Sequence, residues 1–457
     1  MMIPGQFLTK QIVQKLAVAG LNTYERPRPP SIAGLTTAAN RRTIVIPPMM
    51  IDINGIGYVI STETSLDLNT AASWDTTSGT DYTVPVTRAG KSFFIYACRP
   101  TSGVRPTFKI SANSSAPTGY TTTTSRKIAG FDTLPYVTAP TWLANTVTAL
   151  NYVVQPTSPH ANKYIYKCTA RSGTYKTHAT TEPTWPTTPG QTVVDNEVTW
   201  TCMANACMNL PSDHPYKDFE MGSIIFNSIW DLKDMPRSVL REGMVKLSLT
   251  PWDGVPNRWC DIYLASGTGT TCTSVHGATI KDTVDWNTFV EYGRLQRKRL
   301  LKDWEFQAFA VGSNEETNIA GSADPGIVTF PVDTAGRSMI SHYGVIGMCG
   351  DMWQWLDEQS YRFDGATNHT HQVTVSGDPQ TVTTGNPSGD VAPAWTYKDL
   401  PTGVGSIYTQ GTYGNVKLLA GGSWDCGSDC GSRSRYAAYS RWAAYSDIGG
   451  RFVAEPQ

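Results

Sequence analysis

The sequence predicts a multidomain chain, mainly β in its N-terminal part, closed by a C-terminal α+β domain. Three observations lead there. A length of 457 residues exceeds what one hydrophobic core usually serves, so two to four domains are expected. Residues 40–205 are filled with β-branched runs broken by Pro and Gly, whereas helical periodicity over a long stretch first starts at Trp286. Hydrophobic residues make up 40% of the chain, enough for several cores, while charged residues make up only 16%. That is below the roughly 25% of ordinary globular proteins, and it suits short strands, turns and uncharged polar surfaces.

Residues 1–39 read as a helix and linker for assembly or docking. Leu8, Ile12, Val13 and Leu16 give a helical face within Phe7 to Ala19, and the PRPPS run from Pro27 ends it. Residues 40–135 read as a β-rich, sandwich-like domain, with a hairpin turn at Asn54-Gly55, another turn near Ala89-Gly90 and a strand through Phe93 to Ala97. Residues 142–207 read as a small β module: Lys163 to Thr169 alternates, a proline-rich turn holds Trp185, and EVTWTC supplies another strand. Its YxC…TEPxWP…VTW pattern resembles modules that recur in phage tail and fibre proteins. Tyr164, Tyr166, Trp185 and Trp200 are expected to form its core rather than an exposed platform for sugar. Residues 208–283 contain the apolar stretches SIIFNSIW and MVKLSLTPW. They fit either a connector or the first strands of the domain over 284–457, and pattern alone leaves both open.

In that last domain Phe289, Tyr292, Leu295, Leu300, Leu301, Trp304, Phe306 and Phe309 predict a helix over Trp286 to Val311, broken near Lys298 where a basic cluster shifts the apolar face. A net charge of -1 gives no general attraction to nucleic acid, and the basic run from Arg294 to Lys302 reads as a solvated helix face. No run of eighteen apolar residues occurs, so membrane insertion is not expected, and the N-terminus lacks the apolar core of a secretory signal. Nine cysteines are too sparse for a disulfide scaffold, and Cys202-x4-Cys207 lacks the second pair of a zinc site.

Three motifs in order, RLLKDWEFQAFA, YGVIGMCGDMWQWLDE and LLAGGSWDCGSDCGSRSRYAAYSRWAAYSDIGGRFV, resemble the C-type-lectin-like domain of formylglycine-generating enzymes and of the variable proteins rewritten by diversity-generating retroelements, phage tropism-determining proteins among them. The enzyme branch implies a copper-binding cysteine pair. Cys426 stands where its first member would be, but Cys430 follows after three residues instead of four, and the flanking residues lack the aromatic and histidine-rich surround of that family. The sequence therefore points away from a copper-dependent oxidase, and Cys426 and Cys430 are expected to be a structural disulfide or ordinary surface cysteines.

The variable-protein branch implies a ligand-binding face at positions that adenine rewriting of asparagine-type codons can reach. These are Asp425, Cys426, Asp429, Cys430, Tyr436, Ala437, Ala438, Tyr439, Arg441, Ala443, Ala444, Tyr445 and Asp447. Trp424, Arg433, Trp442 and Arg451 are expected to support that face from beneath or at its edge, and Trp424, Trp442 and Gln457 lie outside the reachable set. Tyr offers large amphipathic contact area at low entropic cost, Ala clears space, and Arg and Asp add directional contacts. The resemblance implies a virion protein at a tail fibre or baseplate tip, a homotrimer gaining by avidity, and as partners a host cell-surface protein or glycan and other virion tail proteins. A purely structural fibre protein is the further alternative. No cofactor is required; calcium is an option because such folds sometimes carry oxygen-lined sites, but no acidic cluster specifies ligands.

Overall fold

The computed structural model describes residues 30–75, 80–101, 105–158, 160–203, 205, 207–231, 242–247, 258–267, 272–362, 372–375, 394–396, 406–408 and 414–455. The helix expected within residues 7–19 lies outside them. The chain is multidomain and predominantly β, with short helices interspersed.

In the Thr43–Ile46 strand Ile44 and Ile46 are buried and their neighbours half-buried, the period of two that a strand on a core imposes. It pairs antiparallel with Ser31–Ile32 and Thr64–Asp67. The Met49–Ile53 and Ile56–Ile60 strands form a hairpin closed by Asn54 and Gly55 at φ of 50° and 80°. Two left-handed residues in succession make the turn whose twist matches that of the strands, and Asn-Gly is its preferred sequence. A second sheet runs in the order Trp230–Asp231, Ser125–Asp132, Ser92–Cys98, Thr107–Ser111. Its Ser92–Cys98 strand is covered on both faces. Phe93, Ile95 and Ala97 join a core with Ile44, Trp74 and Phe131, while Phe94, Tyr96 and Cys98 pack with Trp230, Met244, Trp259 and Ala454. Burial on both faces explains why this segment reads as a continuous apolar run.

The small module is a four-stranded sheet ordered Thr192–Asp195, Val198–Met203, Ile165–Arg171, Val153–Val154. Tyr166, Trp185 and Trp200 are buried together with Trp142, and Tyr164 packs at their margin. The Trp142 and Trp200 ring nitrogens both donate to one Asp195 oxygen, at 2.7 and 3.0 Å, so the indoles are buried without stranding a donor.

The chain does not change domain at residue 284. Met244–Leu247 pairs with Arg258–Asp261, which pairs with Phe452–Ala454, which pairs in turn with Arg299–Leu300. Strands preceding 284 and the last residues of the chain thus build one sheet, and one hydrophobic core extends from Leu134 to Val453. The expected long helix is two, Trp286–Leu295 and Asp303–Ala310. Asp285 caps the first by accepting from the Thr288 amide at 2.8 Å, and between the two helices Arg297 turns left-handed at φ 56°. A larger sheet is ordered Gln372–Val375, Trp353–Arg362, Gly414–Gly421, Gly431–Tyr439, Ser406–Tyr408, Ala394–Thr396, with Ile448–Gly449 parallel to Trp353–Arg362.

Buried ion pairs fasten the two sheets to the helices. Arg451 has no exposed surface; its guanidinium donates to the Ile346 carbonyl at 2.8 Å, the Asp261 carbonyl at 2.9 Å and Gln354 Oε1 at 3.1 Å. Lys298 Nζ lies 2.6 Å from Asp261, and Arg299 and Arg258 converge on the buried Glu305 at 2.6 and 3.1 Å. Arg435 pairs with the fully buried Asp303. Charges removed from water need such partners, since an unpaired one would cost several kcal/mol.

Candidate binding face

The face is built from three segments brought together by one tight turn. Gly421 and Gly422, at φ of 96° and 85°, swing the chain out of the Gly414–Gly421 strand. A Cβ on Gly422 would stand 2.6 Å from Cys430 Sγ, so only glycine fits where Ser423 to Cys430 folds back. The Gly431–Tyr439 strand follows, turning Arg435 and Ala437 into the core. Ser440 to Asp447 then crosses the surface before Ile448–Gly449 re-enters the sheet.

An aromatic ladder runs outward along these segments. The buried Trp353 ring lies 5.7 Å from Tyr436, Tyr436 lies 4.8 Å from Tyr439, and Tyr439 lies 4.8 Å from Tyr445, which is 48% exposed. Arg441 and Trp442 follow in the chain after Tyr439, with the guanidinium 6.0 Å from the indole centroid. Beneath, Lys417 Nζ sits 3.7 Å over the Trp286 ring, and Trp286 donates its ring N–H to the Leu356 carbonyl at 2.8 Å.

The crossing loop is held by its main chain. The Arg441 carbonyl accepts from the Trp286 amide at 3.1 Å, the Tyr445 carbonyl from the Thr283 amide at 3.1 Å, and the Asp447 carbonyl from the Trp353 amide at 3.0 Å. Internal bonds from Ala443 to Ser440 and from Ile448 to Tyr445 tighten it. Arg441, Trp442, Ala444, Tyr445 and Ser446 are meanwhile exposed.

Several expected positions are placed otherwise. Trp442 does not support the face from beneath: it is 70% exposed, in the loop that the chain enters after leaving the Gly431–Tyr439 strand. Ala437, 1% exposed, points into the core from that strand, and Cys430 is buried under Gly422, so neither side chain can touch a ligand in this conformation. Asp425 and Asp429 are exposed, while Cys426, Tyr436, Tyr439, Ala443 and Asp447 are half-buried. The side chain of Ala438 and all of Gln457 lie outside the described residues. Arg451 is buried, and Trp424 and Arg433 are half-buried at the edge. Lys417 and Trp286 were not expected at this face, since both precede the Trp424 to Asp447 segment and neither carried a motif.

Cys426 and Cys430 are both free thiols. Cys426 Sγ lies 3.1 Å from Ser423 Oγ, and Cys430 Sγ lies 3.4 Å from the Ser423 carbonyl oxygen. The neighbouring Cys430 side chain holds Cys426 below the usual thiol range, while the Cys426 side chain and burial raise Cys430 above it. Among the described residues no three His, Cys, Asp or Glu side chains converge to hold a metal ion. No helix among those residues is long and apolar enough to cross a membrane.

Comparison with known proteins sets this geometry in context. Residues 50–154 match a family described as the Mtd second domain. The tail fiber receptor-binding protein of Bordetella phage BPP-1 is 24% identical over 381 residues, covering 78% of this chain and 69% of that protein. Among solved structures, the I1 and P3c variants of a Major Tropism Determinant each superpose with a TM-score of 0.50 and 22% identity, over 93% of this chain and 83% of theirs. The chain therefore resembles the tropism-determinant and tail-fibre receptor-binding proteins, and the likeness to the solved structures is one of fold.

Proposed function

We propose that this chain is a non-enzymatic receptor-binding protein of a phage or prophage, placed at a tail fibre or baseplate tip, whose C-terminal part is a C-type-lectin-like head that determines host tropism. The observation that carries this reading is the loop Ser440 to Asp447. Its backbone is bonded to the rest of the head while Arg441, Trp442, Ala444, Tyr445 and Ser446 face solvent, so contacts at those positions can vary without disturbing the fold. Tyr439, Arg441, Trp442, Ala444 and Tyr445, flanked by Asp425 and Asp429, form the contact set, and Tyr, Trp and Arg are the residues that dominate interface energetics. The ligand is a host cell-surface protein or glycan. Three copies binding together compensate for weak single-head affinity. The resemblance to the Bordetella phage protein supports the assignment.

The test is competition. Purified protein added to host cells should protect them from the parent phage, and the double variant Arg441→Ala/Tyr445→Ala should fold normally yet protect poorly. Equal protection by both proteins would remove the loop from the binding face.

A further inference from the structure

The Ser423 to Cys430 turn carries chemistry that receptor contact does not use. Its two thiols face the same residue, one on the Ser423 hydroxyl at 3.1 Å and the other on the Ser423 carbonyl at 3.4 Å. Between them lies a single 3-10 turn, Gly427–Asp429, closed by hydrogen bonds from Asp429 to Cys426 and from Cys430 to Gly427. A Cβ added at Gly422 would lie 2.6 Å from Cys430 Sγ, so the glycine leaves that sulfur the space it occupies. Cys426 is half-buried and within reach of small reagents, whereas Cys430 is buried.

We propose that Cys426 and Cys430 are an oxidation site, a dithiol that closes to an intramolecular disulfide when the protein meets a small-molecule disulfide of the glutathione class. Geometry makes the step short, since both sulfurs rest on the one residue Ser423 and a single 3-10 turn separates the two cysteines, so little rearrangement brings them to the S–S length of about 2.05 Å. The Cys426 thiolate attacks one sulfur of the reagent, whose S–S bond breaks and releases one thiolate that takes up a proton. The product is a mixed disulfide on Cys426. The Cys430 sulfur then attacks Cys426 Sγ, gives its proton to the second departing thiolate, and completes the protein disulfide. Two protein thiols are oxidised and one reagent disulfide is reduced to two thiols. The lowered affinity of Cys426 for its proton makes it the entry point. Cys426 packs on the cluster that also holds Tyr436, Tyr439 and Ala443, so closure clamps the edge of the proposed binding face. That consequence rests on the proposed function; the chemistry does not.

The peptide from Leu418 to Arg433, released by trypsin, contains Cys426 and Cys430 and no other cysteine. After exposure of the native protein to oxidised glutathione and alkylation of remaining thiols, this peptide should be two hydrogens lighter than its dithiol form and unalkylated. Cys430→Ser should stop at the glutathione adduct on Cys426, and Cys426→Ser should leave Cys430 an unmodified thiol. Recovery of the wild-type peptide doubly alkylated, carrying glutathione, or linked to another peptide would overturn the proposal. So would a glutathione adduct on Cys430 in Cys426→Ser. Host-cell binding by the oxidised and reduced forms is a separate readout: no binding by either form would count against the proposed function and leave the mass result standing.

Discussion

Replacing Trp442 by alanine separates a contact residue from a supporting one. A tryptophan can bury up to about 250 Å² of surface. At 70% exposure only about 30% of Trp442 is covered, or roughly 75 Å², and at about 25 cal/mol per Å² this sets a ceiling near 2 kcal/mol. Alanine keeps part of that area and the unfolded chain already buries some, so the expected loss of stability is about 1 kcal/mol or less. Trp355, fully buried on the neighbouring strand, is the internal standard: its truncation should cost about 3 to 5 kcal/mol. If the indole is an interface hot spot, Trp442→Ala should lose about 2 to 4 kcal/mol of binding, a weakening of roughly 30- to 700-fold. Urea unfolding followed by intrinsic fluorescence and titration of protein onto host cells measure the two effects. A Trp442→Ala protein as unstable as Trp355→Ala would refute the exposed placement. Unchanged binding by Trp442→Ala, Arg441→Ala and Tyr445→Ala alike would refute the contact role of the loop.

Other perturbations test the frame. Arg435→Met leaves Asp303 buried without its guanidinium and should destabilise the head by about 3 to 5 kcal/mol in urea unfolding; adding Asp303→Asn should recover part of that loss. Asp132 accepts from the Ser92 hydroxyl and the Gly243 amide through one oxygen while the other is buried without a partner, and burial raises its pKa to about 7. Its folded pKa thus exceeds the unfolded value of about 3.9, so the cost of ionising it is absent below about pH 4 and complete above about pH 7. Asp132→Asn should therefore gain stability relative to the parent as pH rises from 5 to 8, and identical pH profiles would contradict this. Binding is proposed to need no cofactor, so EDTA should leave host-cell binding unchanged; a loss restored by calcium would place an ion in the head.

Local features were legible because local chemistry sets them. Asn54-Gly55 could form few turns other than the one found, the basic cluster around Lys298 marked a real break between two helices, and the tryptophans of the small module had apolar strands to pack against. Non-local pairing was not legible. Nothing in Arg258–Asp261 announces a partner almost two hundred residues later, so pattern alone left residues 208–283 open between a connector and the first strands of the terminal domain. Trp442 was misread because its codon speaks to whether the residue can vary, not to whether it is covered. The absence of period in YAAYSRWAAYSD has a plain cause: the strand ends at Tyr439, and the remainder is a crossing loop whose side chains answer to no single face.

The loop gives the rest of the head carbonyl oxygens, at Arg441, Tyr445 and Asp447, and takes its support from amides on other segments. A carbonyl is the one polar group that all twenty residues possess, proline included. The attachment is therefore blind to the genetic letter at each of these three positions, much as a chuck grips any bit of standard shank. Each exchange at Arg441, Trp442, Ala444 or Tyr445 spends its effect on what lies outside the protein, and a population of such variants would share one melting behaviour while differing widely in what they hold.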